Sequence, residues 1–399
     1  MPSRGSVKPE RIGRGLLWAG GMALVAWPLA VAGWSFAIEQ SSVGMALPDI
    51  RSGGWEVTGS RADVRPSVTA NGDVATIDFA PSSLVLTEHL TFVGADQPLT
   101  LNNLRTDLSN TTVTLDYGAN GPWAQRISID GDIRVDAARV EHPQLLPQTW
   151  NFQGRAKGRL ADLRVQGTLA SESGFTADLD IQLNPEGGVS VAIDSVIDGK
   201  QGVQALAETL VGWPDLLTVD SGNARLSMEV STGQGGELAA SGSVELQDVG
   251  GVFNRTAVSG LTGQVRGSLE NSRITIRFRD MTVGEINAGI PVTSVLFSGS
   301  YSAPVTELLA GTLEVQQARA RFLEGTLRVP PARYDLGGGS GRIPVEVEDV
   351  SLSRLMAVYP AEGLSGSGLL RGRVPLGISG DGVQVSAGSI SAIDPGGRL

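Results

Sequence analysis

Acidic side chains two positions apart are the first candidates for chemistry in this chain. They occur as three pairs, namely Asp130/Asp132, Asp178/Asp180 and Glu346/Glu348. Two carboxyl groups that flank a glycosidic bond can act as the acid and as the base or nucleophile of its hydrolysis. A spacing of two also places side chains on the same face of a β-strand. Because a solvated strand face produces this spacing by default, we interpret these acids as surface residues rather than as a glycosidase site.

The residue types that usually act as nucleophiles or metal ligands are scarce. Cysteine is absent, and the two histidines, His89 and His142, have no second ligand at metal-binding spacing. The glycine-rich segment 337–341 lacks the Gly-Lys-Ser/Thr of a phosphate-binding loop, and segment 380–382 is too short for a calcium loop. We therefore expect that the chain is not an enzyme, and that it has no catalytic residue, no metal site and no cofactor.

A repeated pattern from Arg159 to Asp394 predicts the elements that carry these residues. Apolar and polar residues alternate for six to nine positions, and a glycine-rich turn follows. Segment 176–184 is the clearest example, with apolar residues at its second, fourth, sixth and eighth positions. Successive side chains of a strand point to opposite faces. The pattern therefore predicts an all-β fold, a twisted and repetitive antiparallel sheet with one apolar and one polar face.

A long one-sided sheet either folds on itself to bury its apolar face or presents that face to an apolar ligand. We predict that the apolar face includes ten side chains. They are Ala177, Leu179, Ile181, Leu183, Ile274, Ile276, Phe278, Ile343, Val345 and Val347. The residues alone leave open whether this face lines a groove or packs into a filled core.

A few segments interrupt the alternation. Residues 202–212 and 351–358 have apolar side chains at helical spacing, and each segment is followed closely by a proline, so we expect two short helices. Segment 143–150 contains two prolines and is predicted to be a loop and a weak boundary. The strand that begins at Arg273 is predicted to end at Phe278, where its alternation stops.

The composition narrows the class of protein. The chain has 399 residues with 53 glycines, 20 prolines and only 5% aromatic residues, which favours β structure with many turns and a thin core over a compact helical enzyme. Its formal net charge of −11 would repel a phosphate backbone, so nucleic acid is not an expected partner.

The N-terminal segment predicts export. Residues Gly15–Ile38 form 24 positions without a charge behind four basic residues, and about 20 apolar residues suffice to cross a bilayer. The basic flank should remain in the cytoplasm. We favour a transmembrane anchor at residues 1–38 followed by a periplasmic domain at residues 39–399. A cleaved signal peptide is the alternative, because Ala30-Val-Ala32 matches a small-x-small cleavage site.

The C-terminal block carries a family resemblance. Residues 345–376 read VEVEDVSLSRLMAVYPAEGLSGSGLLRGRVPL, and GDGVQVSAGSI follows at 380–390 with PGG at 395–397. Together with the apolar N-terminal segment and the long β repeats, this block resembles the YdbH-like branch of the AsmA-like proteins of Gram-negative envelopes, whose relatives include TamB and YhdP. The block covers about 345–399, and the rest of the chain is similar only in its general pattern.

The resemblance implies an inner-membrane-anchored, taco-like β-rod whose apolar groove conducts phospholipids between the inner and outer membranes. It also implies a small outer-membrane lipoprotein as partner at the far end, here the C-terminal strand edge. Members of the family are typically longer, so we expect this chain to be a fragment or a shortened member. The alternative function is a structural or secretion-associated envelope protein with a filled core and no lipid transport.

Overall fold

The computed structural model describes most of the chain. The described residues are 36–39, 42–52, 55–92, 98–185, 188–232, 238–270, 272–308, 310–337, 341–358, 366–379, 382–385, 387–393 and 396. Strands dominate them and the helices are few and short, so the predicted all-β fold with short helices is confirmed. Every strand pairing with a described register is antiparallel, as the alternation predicted.

The chain divides into two compact units. Unit 1 comprises the described residues up to Ile193 together with 205–212 and Thr232, and unit 2 comprises 194–204, 213–231 and the described residues from 238 onward. Strand β14 (Val189–Asp198) and helix α2 (Gly199–Ala207) have residues in both units.

Unit 1 contains thirteen further described strands and one short helix, α1 (Trp123–Arg126). The strands are β1 (Phe36–Glu39), β2 (Val43–Ala46), β3 (Ile50–Ser52), β4 (Trp55–Val64), β5 (Pro66–Asn71), β6 (Val74–Phe79), β7 (Leu84–Phe92), β8 (Leu99–Asp107), β9 (Thr111–Asp116), β10 (Ile127–His142), β11 (Leu145–Arg159), β12 (Arg164–Ser171) and β13 (Thr176–Leu183).

Strand β10 organises the sheet of unit 1. One edge of β10 pairs first with β9 and then with β8, while its other edge pairs with β11, which continues to β12 and β13. The β9 side continues through β6 and β5 to β1, and the β8 side continues through β7 to β4. The sheet therefore splits into two branches at β10.

Ser83 fixes the point where the two branches separate. Its side chain is fully buried, and its hydroxyl donates to the Ala80 carbonyl at 2.7 Å and accepts from the Arg65 amide at 3.0 Å. The Ser83 carbonyl accepts from the Leu108 amide at 2.9 Å. Backbone groups that the splitting sheet would leave unpaired are satisfied in this way.

A hydrophobic cluster fills part of unit 1. Leu104, Ala137, Val140 and Trp150 are buried together, and the Trp150 ring meets Phe175 edge-on at 6.3 Å between ring centroids. This cluster is a packed core of the ordinary kind.

Unit 2 contains the remaining strands and helix α3 (Leu352–Val358). The strands are β15 (Leu217–Thr232), whose last residue belongs to unit 1, β16 (Leu238–Phe253), β17 (Thr256–Glu270), β18 (Arg273–Asn287), β19 (Pro291–Pro304), β20 (Thr312–Phe322), β21 (Gly325–Val329), β22 (Ala332–Asp335), β23 (Gly341–Ser351), β24 (Leu369–Ser379), β25 (Gly382–Val385) and β26 (Ser389–Ala392).

Most strands of unit 2 pair with their neighbours in sequence. Strands β16 to β20 form a meander of successive hairpins. The free edge of β20 pairs with β22 along its first residues and with β21 along its last, and β21 continues to β23 and β24. Strand β24 then pairs with the short strands β25 and β26.

Four successive strands of unit 2 carry a bulge in their middle part. The register shifts there on β16, β17, β18 and β19, and left-handed φ values of +51°, +49° and +51° occur at Asp248, Asp280 and Ser294. An extra residue in a strand reverses the alternation and bends the strand. On β18 the bulge keeps Met281 on the side of Phe278, and both residues lie beside Phe297.

One of these bulges explains why a predicted strand was too short. The strand predicted to end at Phe278 continues to Asn287, because the bulge at Asp280 hides the second half of the alternation. The predicted loop at 143–150 was wrong, since β11 already begins at Leu145 and pairs with β10. The first predicted helix lies at Gly199–Ala207, three residues earlier than expected, and the second is helix α3.

The end of the predicted membrane span also needs correction. Residues 36–38 belong to β1, in which Ile38 lies opposite Val68 of β5, so the predicted span would have to end before Phe36. The earlier residues of Gly15–Ile38 lie outside the described part of the chain. Within the described part, we find no helix with the length and apolar character needed to cross a bilayer.

Candidate functional site

The apolar face of unit 2 is arranged in rows that cross β16, β17, β18 and β19. The strand registers align one residue from each strand in three neighbouring rows. The rows are Ala240–Leu269–Ile274–Ala303, Gly242–Gly267–Ile276–Tyr301 and Val244–Val265–Phe278–Gly299. Each row is apolar except for the hydroxyl of Tyr301, so a ligand moving across the strands meets a continuous apolar surface.

A shallow concavity, which we call the apolar trough, lies over these rows. It has a volume of about 340 Å³ and is open to solvent. Ten apolar residues and glycines line it, namely Leu226, Met228, Ala240, Gly242, Val244, Val265, Gly267, Leu269, Ile274 and Ile276. Three serines also border it, but the alternation directs their side chains to the opposite face of the sheet.

Two glycines form the floor of the apolar trough. Gly242 and Gly267 lie opposite each other on β16 and β17, between the larger side chains of the neighbouring rows. A Cβ atom on Gly267 would have no atom within 4 Å. The space above Gly267 is therefore empty because of the residue type, not because a neighbouring side chain has moved away.

The lining of the apolar trough is only half-buried. All ten residues have intermediate exposure, whereas Ala303 at the end of one row is 0% exposed and Val315 on β20 is 3% exposed. In a filled core the central residues would be the most buried. Here the central residues stay accessible, so the described residues of unit 2 place no second layer over this part of the sheet.

Phe278 and Phe297 lie beside the apolar trough. Their ring centroids are 5.4 Å apart and the rings are tilted by 59°. Phe278 lies in the same row as Val265, and this row is next to the Gly267–Ile276 row. The aromatic pair therefore extends the apolar surface toward β19.

The predicted residues on β13 lie on the apolar face of unit 1. Leu179 lies in a row with the pair Gly154–Gly167, and Ala177 lies in the next row with Phe152 and Leu169. This glycine pair differs from the pair in unit 2, because a Cβ on Gly154 would lie 2.3 Å from the Gln166 carbonyl oxygen. The backbone of the neighbouring strand, not open space, therefore lies next to Gly154.

Two of the three predicted residues on β23 are more buried, whereas Val345 has intermediate exposure. Ile343 and Val347 are 6% and 7% exposed, and Val347 lies between Leu327 of β21 and Gly372 of β24. Of the ten predicted side chains, only Ile274 and Ile276 line the apolar trough. The sequence prediction did not include the lining residues of β15, β16 and β17, although alternation around Met228 and Val244 could have identified two of them.

The opposite face of the sheets is polar, and the paired acids lie there as expected. Asp130 accepts a hydrogen bond from Arg155 at 2.6 Å, Asp178 from Thr168 at 2.8 Å, and Glu346 from Arg373 at 2.8 Å. Asp180 accepts from Arg164 and, at 3.0 Å, from Gln166. These cross-strand contacts use the carboxylates to join neighbouring strands.

The contact with Arg164 also affects titration. The hydrogen bond from Arg164 holds the pKa of Asp180 below its ordinary value, against a smaller opposing effect of desolvation. The same hydrogen bond raises the pKa of the Arg164 guanidinium. Both shifts reflect the stability of the charged pair, as expected for a surface ion pair. The carboxyl group of a general acid would instead have a raised pKa.

The two histidines have ordinary roles at the surface. His89 shares a hydrogen bond of 2.7 Å with Asn102 across β7 and β8, and His142 accepts from the Gln144 amide at 3.1 Å in the turn between β10 and β11. Within the described residues, no group of three or more histidine, aspartate or glutamate side chains is placed to hold a metal ion.

Comparison with known proteins gives one match. The family model described as "YdbH-like: Intermembrane phospholipid transport protein YdbH" matches residues 50–399. The match covers most of the chain, far beyond the C-terminal block that suggested the resemblance. No curated protein and no solved structure matches this chain.

Proposed function

The chain belongs to the YdbH-like family of intermembrane phospholipid transport proteins, and we propose that its apolar trough holds and conducts the acyl chains of phospholipids. The acyl chains would lie across the strands, along the rows of apolar residues. The glycine pair Gly242–Gly267 would form the surface on which they rest.

The open, half-buried lining of the apolar trough is the observation that carries this proposal. Each CH₂ group that leaves water for an apolar surface gains about 0.8 kcal/mol. Ile274 and Ile276 remain accessible to a ligand, whereas Ala303 in the same sheet is 0% exposed. An uncovered apolar surface of this kind is typical of a ligand-binding groove.

The chemistry of the lining favours acyl chains over headgroups. Side chains that point into the apolar trough are aliphatic or absent, so they offer no hydrogen bond or charge to a polar headgroup. The headgroup would remain in solvent above the trough. We therefore expect binding that depends on the length of the acyl chain and only weakly on the headgroup.

We further propose that the protein is anchored in the inner membrane by the uncharged segment that begins at Gly15, with its bulk in the periplasm. The four basic residues before this segment support the orientation. Intact mass measurement of the protein in the membrane fraction tests this. A mature chain that begins at Gly33 would favour the cleaved signal peptide instead.

We propose a small outer-membrane lipoprotein as partner at the C-terminal strand edge. Strand β26 (Ser389–Ala392) is exposed along its length and pairs with β24 through only four residues. A short edge strand with free backbone groups can accept a strand from another protein. Crosslinking from Ile390 in cells tests this proposal, because a structural end of the sheet would capture no partner.

A filled-core structural protein is the second candidate, and one observation favours it. The cluster around Trp150 in unit 1 is a packed core of buried side chains. The two candidates differ in unit 2, where a structural protein needs no accessible apolar surface.

Photo-crosslinking distinguishes the two candidates. A photoreactive amino acid at Ile276, which lines the apolar trough, should crosslink phospholipid that mass spectrometry detects. The matched control is the neighbouring position Arg277, which alternation places on the polar face and which is exposed. Phospholipid on position 276 and none on 277 supports conduction. Equal labelling at both positions, or none at either, contradicts it.

A further inference from the structure

A gap in the hydrogen-bonded ladder lies beside strand β20. Val315 is the last residue that pairs with β22, opposite Ala332, and Ala318 is the first that pairs with β21, opposite Val329. The register places Gln316 and Gln317 opposite two consecutive prolines at 330 and 331. Proline has no N–H group to donate, so the ladder cannot close at these positions.

The gap is held open and forms a cavity. The Tyr334 hydroxyl donates to the Pro330 carbonyl at 2.7 Å and fixes the connection between β21 and β22. The cavity has a volume of about 450 Å³. Its polar lining consists of Gln316, Gln317, Arg319, Thr326 and Arg328, and Ala318, Val329 and Pro331 complete it.

Two arginines at this cavity lie directly opposite each other. Arg319 of β20 and Arg328 of β21 are cross-strand partners, and both are exposed. Like charges in this relationship destabilise a sheet. Within the described part of the chain, neither guanidinium lies within ion-pair distance of a carboxylate, although the protein as a whole carries a net charge of −11.

The carboxylate on the residue directly opposite Arg328 is already engaged. Glu346 of β23 is the cross-strand partner of Arg328, but its carboxylate accepts a hydrogen bond of 2.8 Å from Arg373 on the other side. Glu314, on the same strand as Arg319, is bound in the same way by Arg333 at 3.2 Å. Two positive charges therefore remain at the cavity without a negative charge from these neighbours.

We propose that this cavity binds a phosphate group. Arg319 and Arg328 each present a planar set of N–H donors that matches the oxygens of a phosphate. The Gln317 amide and the Thr326 hydroxyl add neutral donors at the same opening. A bound phosphate would remove the repulsion between the two guanidinium groups. The group could belong to a lipid headgroup or to free phosphate, and the chemistry of recognition is the same.

Calorimetric titration of the full-length protein tests the proposal. The two probes are inorganic phosphate and glycerophosphoglycerol, a soluble phospholipid headgroup, at constant ionic strength. The variants Arg319→Gln and Arg328→Gln should each weaken binding at least about tenfold, since each removes charge-assisted hydrogen bonds. The matched control is Arg277→Gln, an exposed arginine of β18 that also lies opposite another arginine, Arg266, and does not line the cavity. It should bind within about twofold of the unmodified protein.

Thermal unfolding provides a second readout that does not depend on measured affinity. Without phosphate, Arg319→Gln and Arg328→Gln should unfold at the same temperature as the unmodified protein or higher, because the repulsion is removed. Phosphate should raise the Tm of the unmodified protein and of Arg277→Gln, and it should raise the Tm of the other two variants less.

The outcomes separate the sources of the phosphate group. Tighter binding of glycerophosphoglycerol assigns the site to a lipid headgroup, and tighter binding of inorganic phosphate assigns it to the free ion. Failure of both probes to bind overturns the proposal. An equal loss in Arg277→Gln also overturns it, because binding would then reflect only general charge attraction. Neither result bears on acyl-chain binding in the apolar trough.

Discussion

Gly242 and Gly267 lie directly opposite each other on β16 and β17, at the floor of the apolar trough. A Cβ atom on Gly267 would have no atom within 4 Å, whereas a Cβ on Gly242 would lie 3.1 Å from the Ser227 carbonyl oxygen. Of this pair, Gly267 is therefore the position where a larger side chain fits without moving the backbone.

Gly267→Ile should block lipid binding without harming the fold. The new side chain would fill the apolar trough and displace at least two CH₂ groups of a bound acyl chain. At about 0.8 kcal/mol for each group, the affinity for a fluorescent fatty acid should fall about tenfold. Ser268→Ile is the matched control, because it adds the same bulk on the other face of the same strand. Unchanged affinity in Gly267→Ile would show that acyl chains bind elsewhere.

Ile276→Asp should impair lipid passage more than stability. Ile276 is half-buried at the open surface of the apolar trough, so a carboxylate there can stay hydrated. The comparison variant is Ala303→Asp in the same sheet, where the residue is 0% exposed and an unpaired charge should cost several kcal/mol. Chemical denaturation of both variants measures the difference. Equal destabilisation would indicate a filled core over Ile276.

Substitution of glycine by alanine should have opposite effects at Gly154 and Gly267. A Cβ on Gly154 would lie 2.3 Å from the Gln166 carbonyl oxygen, so Gly154→Ala should destabilise unit 1 by about 1–3 kcal/mol. Gly267→Ala meets no obstacle and should stabilise unit 2 by up to about 1 kcal/mol. Thermal unfolding of the two variants checks both signs, and a stable Gly154→Ala would argue against the close strand approach.

The bulge at Asp280 should tolerate glycine and reject a β-branched residue. Asp280 has a φ of +49°, a conformation that glycine adopts freely and valine does not. The free energy of unfolding of Asp280→Gly should lie within about 0.5 kcal/mol of that of the unmodified protein. That of Asp280→Val should be lower by about 1–2 kcal/mol. Urea denaturation measures both. If valine caused no loss, the strand would have to be regular at this position.

The Asp180–Arg164 pair should contribute stability that is lost in acid. Arg164 lowers the pKa of Asp180 below its ordinary value of 3.8. The contribution is therefore complete above pH 3.8 and disappears as the pH falls through the lowered pKa. It should be small, since both side chains reach solvent. In acid unfolding, Asp180→Asn and Arg164→Gln should each lose the same part of the pH dependence of stability. A different loss in the two variants would exclude the pair as its cause.

The alternation of side chains predicted strands well where no bulge intervenes. Segment 176–184 was predicted as a strand and the structure has β13 at Thr176–Leu183. Strand β18 was predicted only as far as Phe278, because the extra residues at the bulge reverse the alternation. The length of a strand with a bulge becomes visible only when the neighbouring strand shows which residues remain on one face.

The candidate sites were harder to predict because they depend on register. Glycine contributes no apolar side chain, so the sequence gives no signal that Gly242 and Gly267 meet at the floor of a trough. Arg319 and Arg328 are separated along the chain by a turn, and their direct opposition follows only from the pairing of β20 with β21. Ile276, by contrast, carries a strong apolar signal, and the sequence analysis named it among the residues of the apolar face.

The regular rows of the apolar trough have a consequence for the speed of movement. Neighbouring strands are about 4.8 Å apart, and each presents an apolar side chain or a glycine at the corresponding position. If the trough conducts lipids as proposed, an acyl chain that advances by one strand would leave contacts of the same kind as those it forms. Its free energy profile along the rows would then be nearly level, without deep minima in which a molecule would stall. Friction with the side chains, not release from a specific site, would set the rate of each step.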